Sequence, residues 1–198
     1  MLRIGLTGGI GSGKTTVSDK FHQLYNIPII DADKISHTIM QPDGSAYKEV
    51  IDSFGQEALL PSKEINRKFL REKIFLDVNL KKNLESIIHP KVRIEINNQV
   101  KNLDSKYCLI VIPLLIESGL QSLVDRILIV DTSEENQINR VSQRDDCSNK
   151  EVENIINNQV DAESRRKHAD DIILNNSSLE DLDQQIHQLH KKYLALST

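Results

Sequence analysis

Residues Gly8 to Thr15 read GGIGSGKT, a match to the pattern GxxxxGK[ST], and they follow the apolar run Leu2 to Leu6 directly. Glycines at 8, 9, 11 and 13 let the backbone turn sharply and aim several N–H groups inward, so that a polyphosphate can lie against main-chain donors at a helix N-terminus. Lys14 can reach the β- and γ-phosphates as a mobile positive charge, and the Thr15 hydroxyl can ligate the metal that bridges them. This chemistry is the binding of a nucleoside triphosphate with magnesium. Val17, Phe21 and Leu24 recur at helical spacing after the loop, which gives the strand, loop and helix order the mechanism requires.

Two carboxylates follow at Asp31 and Asp33, at the expected end of a second strand. Ligands in open α/β sheets sit beyond the carboxyl ends of strands, and in extended chain residues 31 and 33 project to the same side. Asp33 is therefore a candidate base for an incoming hydroxyl, the alternative being a cap for a helix beginning near Lys34. Asp31 is open between a site near the metal and a structural cap. Arg140 and Arg144 lie one turn apart on a helix expected over 133 to 144, either clamping phosphates from a lid or pairing at the surface with Asp145, Asp146 or Glu151. The cluster Arg165 to His168 reads equally as a solvated basic face or a phosphate contact. Glu117, after a third strand, is either a solvated loop carboxylate or a group near the metal. His89-Pro90 reads as a structural corner, because proline favours extended backbone in the residue before it.

The elements that must position these groups are legible as short apolar runs: Leu2 to Leu6, Ile27 to Ile30, Tyr107 to Ile112, Ile127 to Val130 and Ile172 to Leu174. Continuous rather than alternating runs imply parallel strands covered on both faces, hence a three-layer α/β fold with a five-stranded parallel sheet. Thr132 to Glu135, Ser148 to Glu151 and Ser178 to Asp181 each place a hydroxyl three residues before a carboxylate, so helices are expected over 133 to 144, 149 to 160 and 179 to 193. The stretch from about 34 to 106 is too long for one crossover helix and is expected to fold as a helical insertion within a single domain.

The 198 residues carry a formal net charge of −4, which gives no global pull toward nucleic acid or anionic membrane. Apolar runs far shorter than a bilayer span and an N-terminus that enters a strand at once lead to a cytoplasmic expectation. Two cysteines and six histidines without ligand spacing suggest neither a disulfide framework nor a metal held by protein alone, and nothing points to an obligate protein partner. A guanine-reading NKxD is missing, since Asn149-Lys150-Glu151-Val152 lacks the aspartate, so a GTPase switch is disfavoured.

Taken in order, LTGGIGSGKTT at 6 to 16, IDAD at 30 to 33, FG at 54 to 55, Asn66-Arg67 with Leu70 and Phe75, Leu84-Glu85 with Ile88-His89-Pro90, PLLIE at 113 to 117, Gln137 with Arg140 and Arg144, Gln159, and Ala169-Asp170 running to Asn175 resemble the dephospho-coenzyme A kinases. The resemblance implies a P-loop fold with a helical coenzyme A domain at the insertion and a lid over about 140 to 165. It implies ATP on Gly11, Ser12, Gly13, Lys14, Thr15, Thr16, Arg144 and Asn175, the last near the adenine. Asp33 is implied as base toward the ribose 3′-hydroxyl of 3′-dephospho-coenzyme A, Lys14 and Arg140 as catalytic cations, and Thr7, His89, Pro113 and Leu114 as substrate-side residues. Ile116, Asn66 and Ser177 depart from the usual phenylalanine, aspartate and glycine of that pattern.

Overall fold

The computed structural model describes residues 1–197. Five parallel strands, β1 (Leu2–Thr7), β2 (Ile29–Asp31), β3 (Tyr107–Val111), β4 (Arg126–Asp131) and β5 (Asp171–Leu174), lie in the order β2-β3-β1-β4-β5. Ile4 registers with Leu109 on one side and Arg126 on the other. The connection from β1 runs toward β2, whereas that from β3 crosses to β4, so the carboxyl ends of β1 and β3 flank the point where the winding reverses. Open sheets of this kind bind ligands there. Thr7 at the end of β1 donates its hydroxyl to the Pro113 carbonyl at 3.0 Å, tying the segment after β3 to that point.

Apolar residues of alternate parity meet helices α1 (Lys14–Tyr25) and α9 (Leu179–Leu196) on one face of the sheet, where Ile4, Leu6, Phe21, Leu109, Leu128 and Tyr193 are fully buried. Removing each such large side chain from water contributes about 1.5–3 kcal/mol. The opposite parity, including Ile110 and Ile129, is buried as well. Among the described strands, large apolar residues are exposed at the β5 edge, where Ile172 and Leu174 are 40% and 51% exposed. The run of apolar residues does not reveal this exposure.

Helices α6 (Glu134–Asp145), α7 (Asn149–Asn157) and α8 (Ala162–Arg166) fill the stretch between β4 and β5. Ser148 and Glu151 form the expected reciprocal capping box, and the Asp181 amide donates to Ser178. The cap of α6 is Ser133, one residue later than expected, because the Thr132 hydroxyl is taken by the Asn175 carbonyl and the Asn176 side chain.

The chain divides into two compact units, residues 1–31 with the chain from Leu103 onward, and Ala32–Asn102. The second contains α2 (Ala32–Ile39), α3 (Tyr47–Phe54), α4 (Arg67–Leu76) and α5 (Val78–Lys101), with α5 packed against the other three through residues such as Ile88 and Val92. Here two local expectations are corrected. Pro90 lies inside α5, not at a corner. It removes one helix hydrogen bond, to the Ser86 carbonyl, and the buried apolar face of a 24-residue helix offsets that cost. The strand β2 also stops at Asp31 and α2 begins at Ala32, so Asp33 sits within a helix's first turn rather than in extended chain or ahead of a helix at Lys34.

Candidate functional site

The loop between β1 and α1 is shaped by glycine where no other residue fits. A Cβ on Gly8 would stand 2.3 Å from the Val130 carbonyl oxygen, a main-chain atom of the central sheet. Gly13, the N-cap of α1, has φ +94°, and a Cβ there would stand 2.2 Å from the Asn175 side-chain nitrogen. The turn delivers the chain into a 12-residue helix whose first N–H groups have no intrahelical acceptor and whose dipole favours an anion. Ser12 Oγ is buried and is the only buried side-chain polar atom among the described residues without a partner. Such an atom fits a loop that closes on a polar ligand.

Lys14 folds across the loop and donates to the Gly8 and Gly9 carbonyls at 2.9 Å each. Thr15 and Thr16 follow on the first turn of α1, both exposed. Among the described residues no group of three or more His, Cys, Asp or Glu gathers as a metal site. The Thr15 hydroxyl is nevertheless a hard oxygen donor at a helix N-terminus, the kind of ligand that a small divalent cation takes alongside phosphate oxygens.

The α6 face supports the loop from outside. Arg140 donates through Nη1 to the Gly11 and Ser12 carbonyls, at 3.3 and 3.4 Å, and through Nη2 to the Asn175 carbonyl at 2.9 Å. Asn175 returns a bond of 2.8 Å to the Ser12 carbonyl. Its own amide donates to Asp131 at the end of β4, so the segment after β5 is anchored to both the sheet and the loop. One turn further, the exposed Arg144 forms a bidentate pair with Asp145 at 2.7 Å. That bond raises the guanidinium pKa and holds the Asp145 carboxyl below its ordinary value, but the pair is exposed, so it contributes little to stability.

Thr7, the residues from Gly11 to Thr16, Pro113, Arg140 and Asn175 are thus placed within one unit around the loop, with Leu114 exposed beside Pro113. Asp33 and His89 belong to the other unit. Asp33 is exposed two residues beyond β2, in the first turn of α2. His89 lines a cavity of about 240 Å³ with Ser36, Arg67 and Glu85.

Sequence reading gave too little weight to three groups. Arg165 is 7% exposed and donates to the Val160 carbonyl at 2.5 Å, and a Cβ on Gly9 would stand 3.2 Å from its Nη1. Arg166 pairs with the buried Asp131 carboxylate at 2.6 Å. Glu117, exposed after β3, accepts from the Val160 amide at 3.1 Å. The basic spacing of 165 to 168 carries no sign of this, since all of the partners are distant in sequence or supplied by main chain.

The sequence model of the dephospho-CoA kinase family matches residues 2–181. The dephospho-CoA kinase of Coxiella burnetii is 42% identical over 198 residues, covering 100% of this chain and 99% of that protein. Among solved structures, a dephospho-CoA kinase from Campylobacter jejuni superposes with a TM-score of 0.72 at 30% identity, covering 99% of this chain and 98% of its own. A Thermus thermophilus protein superposes with a TM-score of 0.86 at 29% identity, covering 96% and 97%. A match of this extent, over a sheet and loop built as described, decides the family: the chain belongs to the dephospho-CoA kinases.

Proposed function

We propose that the chain transfers the γ-phosphoryl group of ATP to the ribose 3′-hydroxyl of 3′-dephospho-coenzyme A, giving coenzyme A and ADP as the last step of coenzyme A synthesis. The observation that carries this reading is the glycine-shaped loop at Gly8 to Thr15, braced by Arg140 and Asn175, in a chain matched by its family along almost its whole length. Phosphoryl transfer passes through a loose transition state and asks mainly for positioning and charge neutralisation. The loop from Gly11 to Thr16 holds the polyphosphate with main-chain donors and Lys14. Asn175 lies toward the adenine. Arg140 and Arg144 bring positive charge from a lid spanning about 140 to 165, which requires Arg144 to exchange Asp145 for phosphate. When bound, Mg²⁺ neutralises charge on the β- and γ-phosphates, and Thr15 is the residue that would hold it.

On the acceptor side, Asp33 orients the 3′-hydroxyl and takes its proton as the new O–P bond forms and the bond to the β-phosphate oxygen breaks. Thr7, His89, Pro113 and Leu114 contact the acceptor, and the unit Ala32–Asn102 serves as its platform. The same reading places the enzyme in the cytoplasm; among the described residues no helix is long and apolar enough to cross a membrane.

The acceptor is tested by measuring kcat/KM for dephospho-coenzyme A, adenosine and AMP side by side. Contacts to the pantetheine arm orient the hydroxyl, so both truncated acceptors are expected to fall by on the order of 10² or more. AMP or a small alcohol matching dephospho-coenzyme A would replace this reading with that of a generic small-molecule kinase.

A further inference from the structure

The peptide units flanking Ile10, in the middle of the phosphate loop, are gripped from both sides by glutamines. The Ile10 amide donates to Gln159 Oε1 at 3.0 Å, and Gln137 Nε2 donates to the Ile10 carbonyl at 2.6 Å. Gln137 belongs to the face of α6 that also carries Arg140 and the buried Val141. Gln159 lies in the four-residue connector 158–161 between α7 and α8. That connector is itself held at the next residue. Glu117 accepts from the Val160 amide, and the nearly buried Arg165 donates to the Val160 carbonyl. Three segments, the phosphate loop, the α7–α8 connector and the turn after β3, therefore meet at two adjacent residues, Gln159 and Val160.

We propose that Gln137 and Gln159 are positioning residues for ATP, which fix the Ile10 peptides and couple the α7–α8 connector to the phosphate loop without touching the nucleotide. The proposal rests on the phosphotransferase reading above. A phosphate loop works by presenting N–H groups in one fixed set of directions, and a rotated peptide would turn a carbonyl oxygen toward the anion. The two glutamines hold the loop with opposite polarity. Position 159 uses its amide oxygen as an acceptor, whereas position 137 uses its amide nitrogen as a donor.

This polarity makes the proposal testable with four variants, Gln137→Met, Gln159→Met, Gln137→Glu and Gln159→Glu. Methionine keeps the length of the side chain and removes the bond. Glutamate keeps an acceptor at 159 but sets a carboxylate against a carbonyl oxygen at 137. Both glutamate variants add the same charge, so the difference between them reports bond polarity. Equilibrium binding of MgATP by titration calorimetry, without acceptor, is expected to weaken by about five- to tenfold in each methionine variant, the loss of one neutral hydrogen bond. Gln159→Glu is expected to stay within about threefold of the parent, and Gln137→Glu to bind more weakly than Gln137→Met. KM for dephospho-coenzyme A should change little, while the melting temperature without nucleotide should fall by roughly 1–6 °C in each methionine variant, because the bonds are present in the unliganded loop.

Unchanged MgATP affinity in both methionine variants, equal affinity of the two glutamate variants, or a lowered melting temperature with normal affinity would overturn the proposal. Because nucleotide binding is read without acceptor, the acceptor reading can fail on its own: a parent enzyme that binds MgATP but leaves dephospho-coenzyme A unmodified refutes that reading alone.

Discussion

Gly13→Ala is expected to destabilise the protein through two separable effects. At φ +94° an L-residue meets its own carbonyl, at a cost of about 1–2 kcal/mol. The new methyl group, 2.2 Å from the Asn175 side-chain nitrogen, also displaces that amide and breaks its 2.8 Å bond to the Ser12 carbonyl, a further ~0.5–1.5 kcal/mol. The total of about 1.5–3.5 kcal/mol corresponds to a fall in melting temperature of roughly 3–14 °C for a chain of this size. Asn175→Ala alone removes only the bond. In the double variant the amide has already gone, so adding Asn175→Ala to Gly13→Ala should cost almost nothing more, a coupling of about 1 kcal/mol between the two sites. Thermal denaturation of the four proteins without nucleotide measures the cycle. If Asn175→Ala costs as much in the Gly13→Ala background as in the parent, the two groups do not meet as described. An unshifted melting temperature for Gly13→Ala would show that the left-handed turn is not required.

Asp33→Asn is expected to keep MgATP affinity while lowering turnover by roughly 10²- to 10⁴-fold, since the amide retains shape but accepts no proton; near-normal turnover would remove Asp33 from the chemistry. Arg140→Lys is expected to lower both the melting temperature and turnover, because a point charge cannot bridge the Gly11, Ser12 and Asn175 carbonyls as the planar fork does. Full activity in the lysine variant would show that only net charge matters at this position. His190 stacks on Tyr25 at 3.9 Å and lies 2.9 Å from the Tyr107 hydroxyl, and burial, followed by the nearby His187, pushes its pKa below the ordinary value of 6.5. The unfolded chain therefore binds the proton more readily, so this contribution to stability is present above pH 6.5 and is lost as pH falls through that value toward the lower folded pKa. Urea midpoints across pH 5 to 7.5 should show less slope in His190→Phe; an equal slope would place the titration elsewhere.

What the sequence made legible was mostly local. The phosphate loop is contiguous, so its glycines, Lys14 and Thr15 were read directly, and five apolar runs located the five strands to within about two residues. The Ser148–Glu151 capping box spans four residues and was equally plain. Errors arose where distant residues decide. Thr132 and Ser133 are adjacent hydroxyls, and only the Asn175–Asn176 segment, some forty residues away, determines which one is left to cap α6. Pro90 reads as a breaker until the long buried face of α5 is seen to carry it. The cluster from Arg165 to His168 reads equally as a solvated basic face or a phosphate contact, and nothing local in it shows that Arg165 is buried against the Val160 carbonyl and the neighbourhood of Gly9. Gln137 and Gln159 stood in the resemblance with no role, because a glutamine's choice of donor or acceptor depends on the peptide it meets.

The central claim is that phosphate arrives on the ribose 3′-oxygen of dephospho-coenzyme A. Purified protein incubated with MgATP and dephospho-coenzyme A, followed by mass measurement and phosphorus–proton NMR of the isolated product, addresses it directly. A product heavier by one phosphoryl group, with a phosphomonoester coupled to the ribose 3′-proton and an equal amount of ADP, is the expected result. ADP formed without a modified acceptor, or a phosphate coupled to any other position, would contradict it.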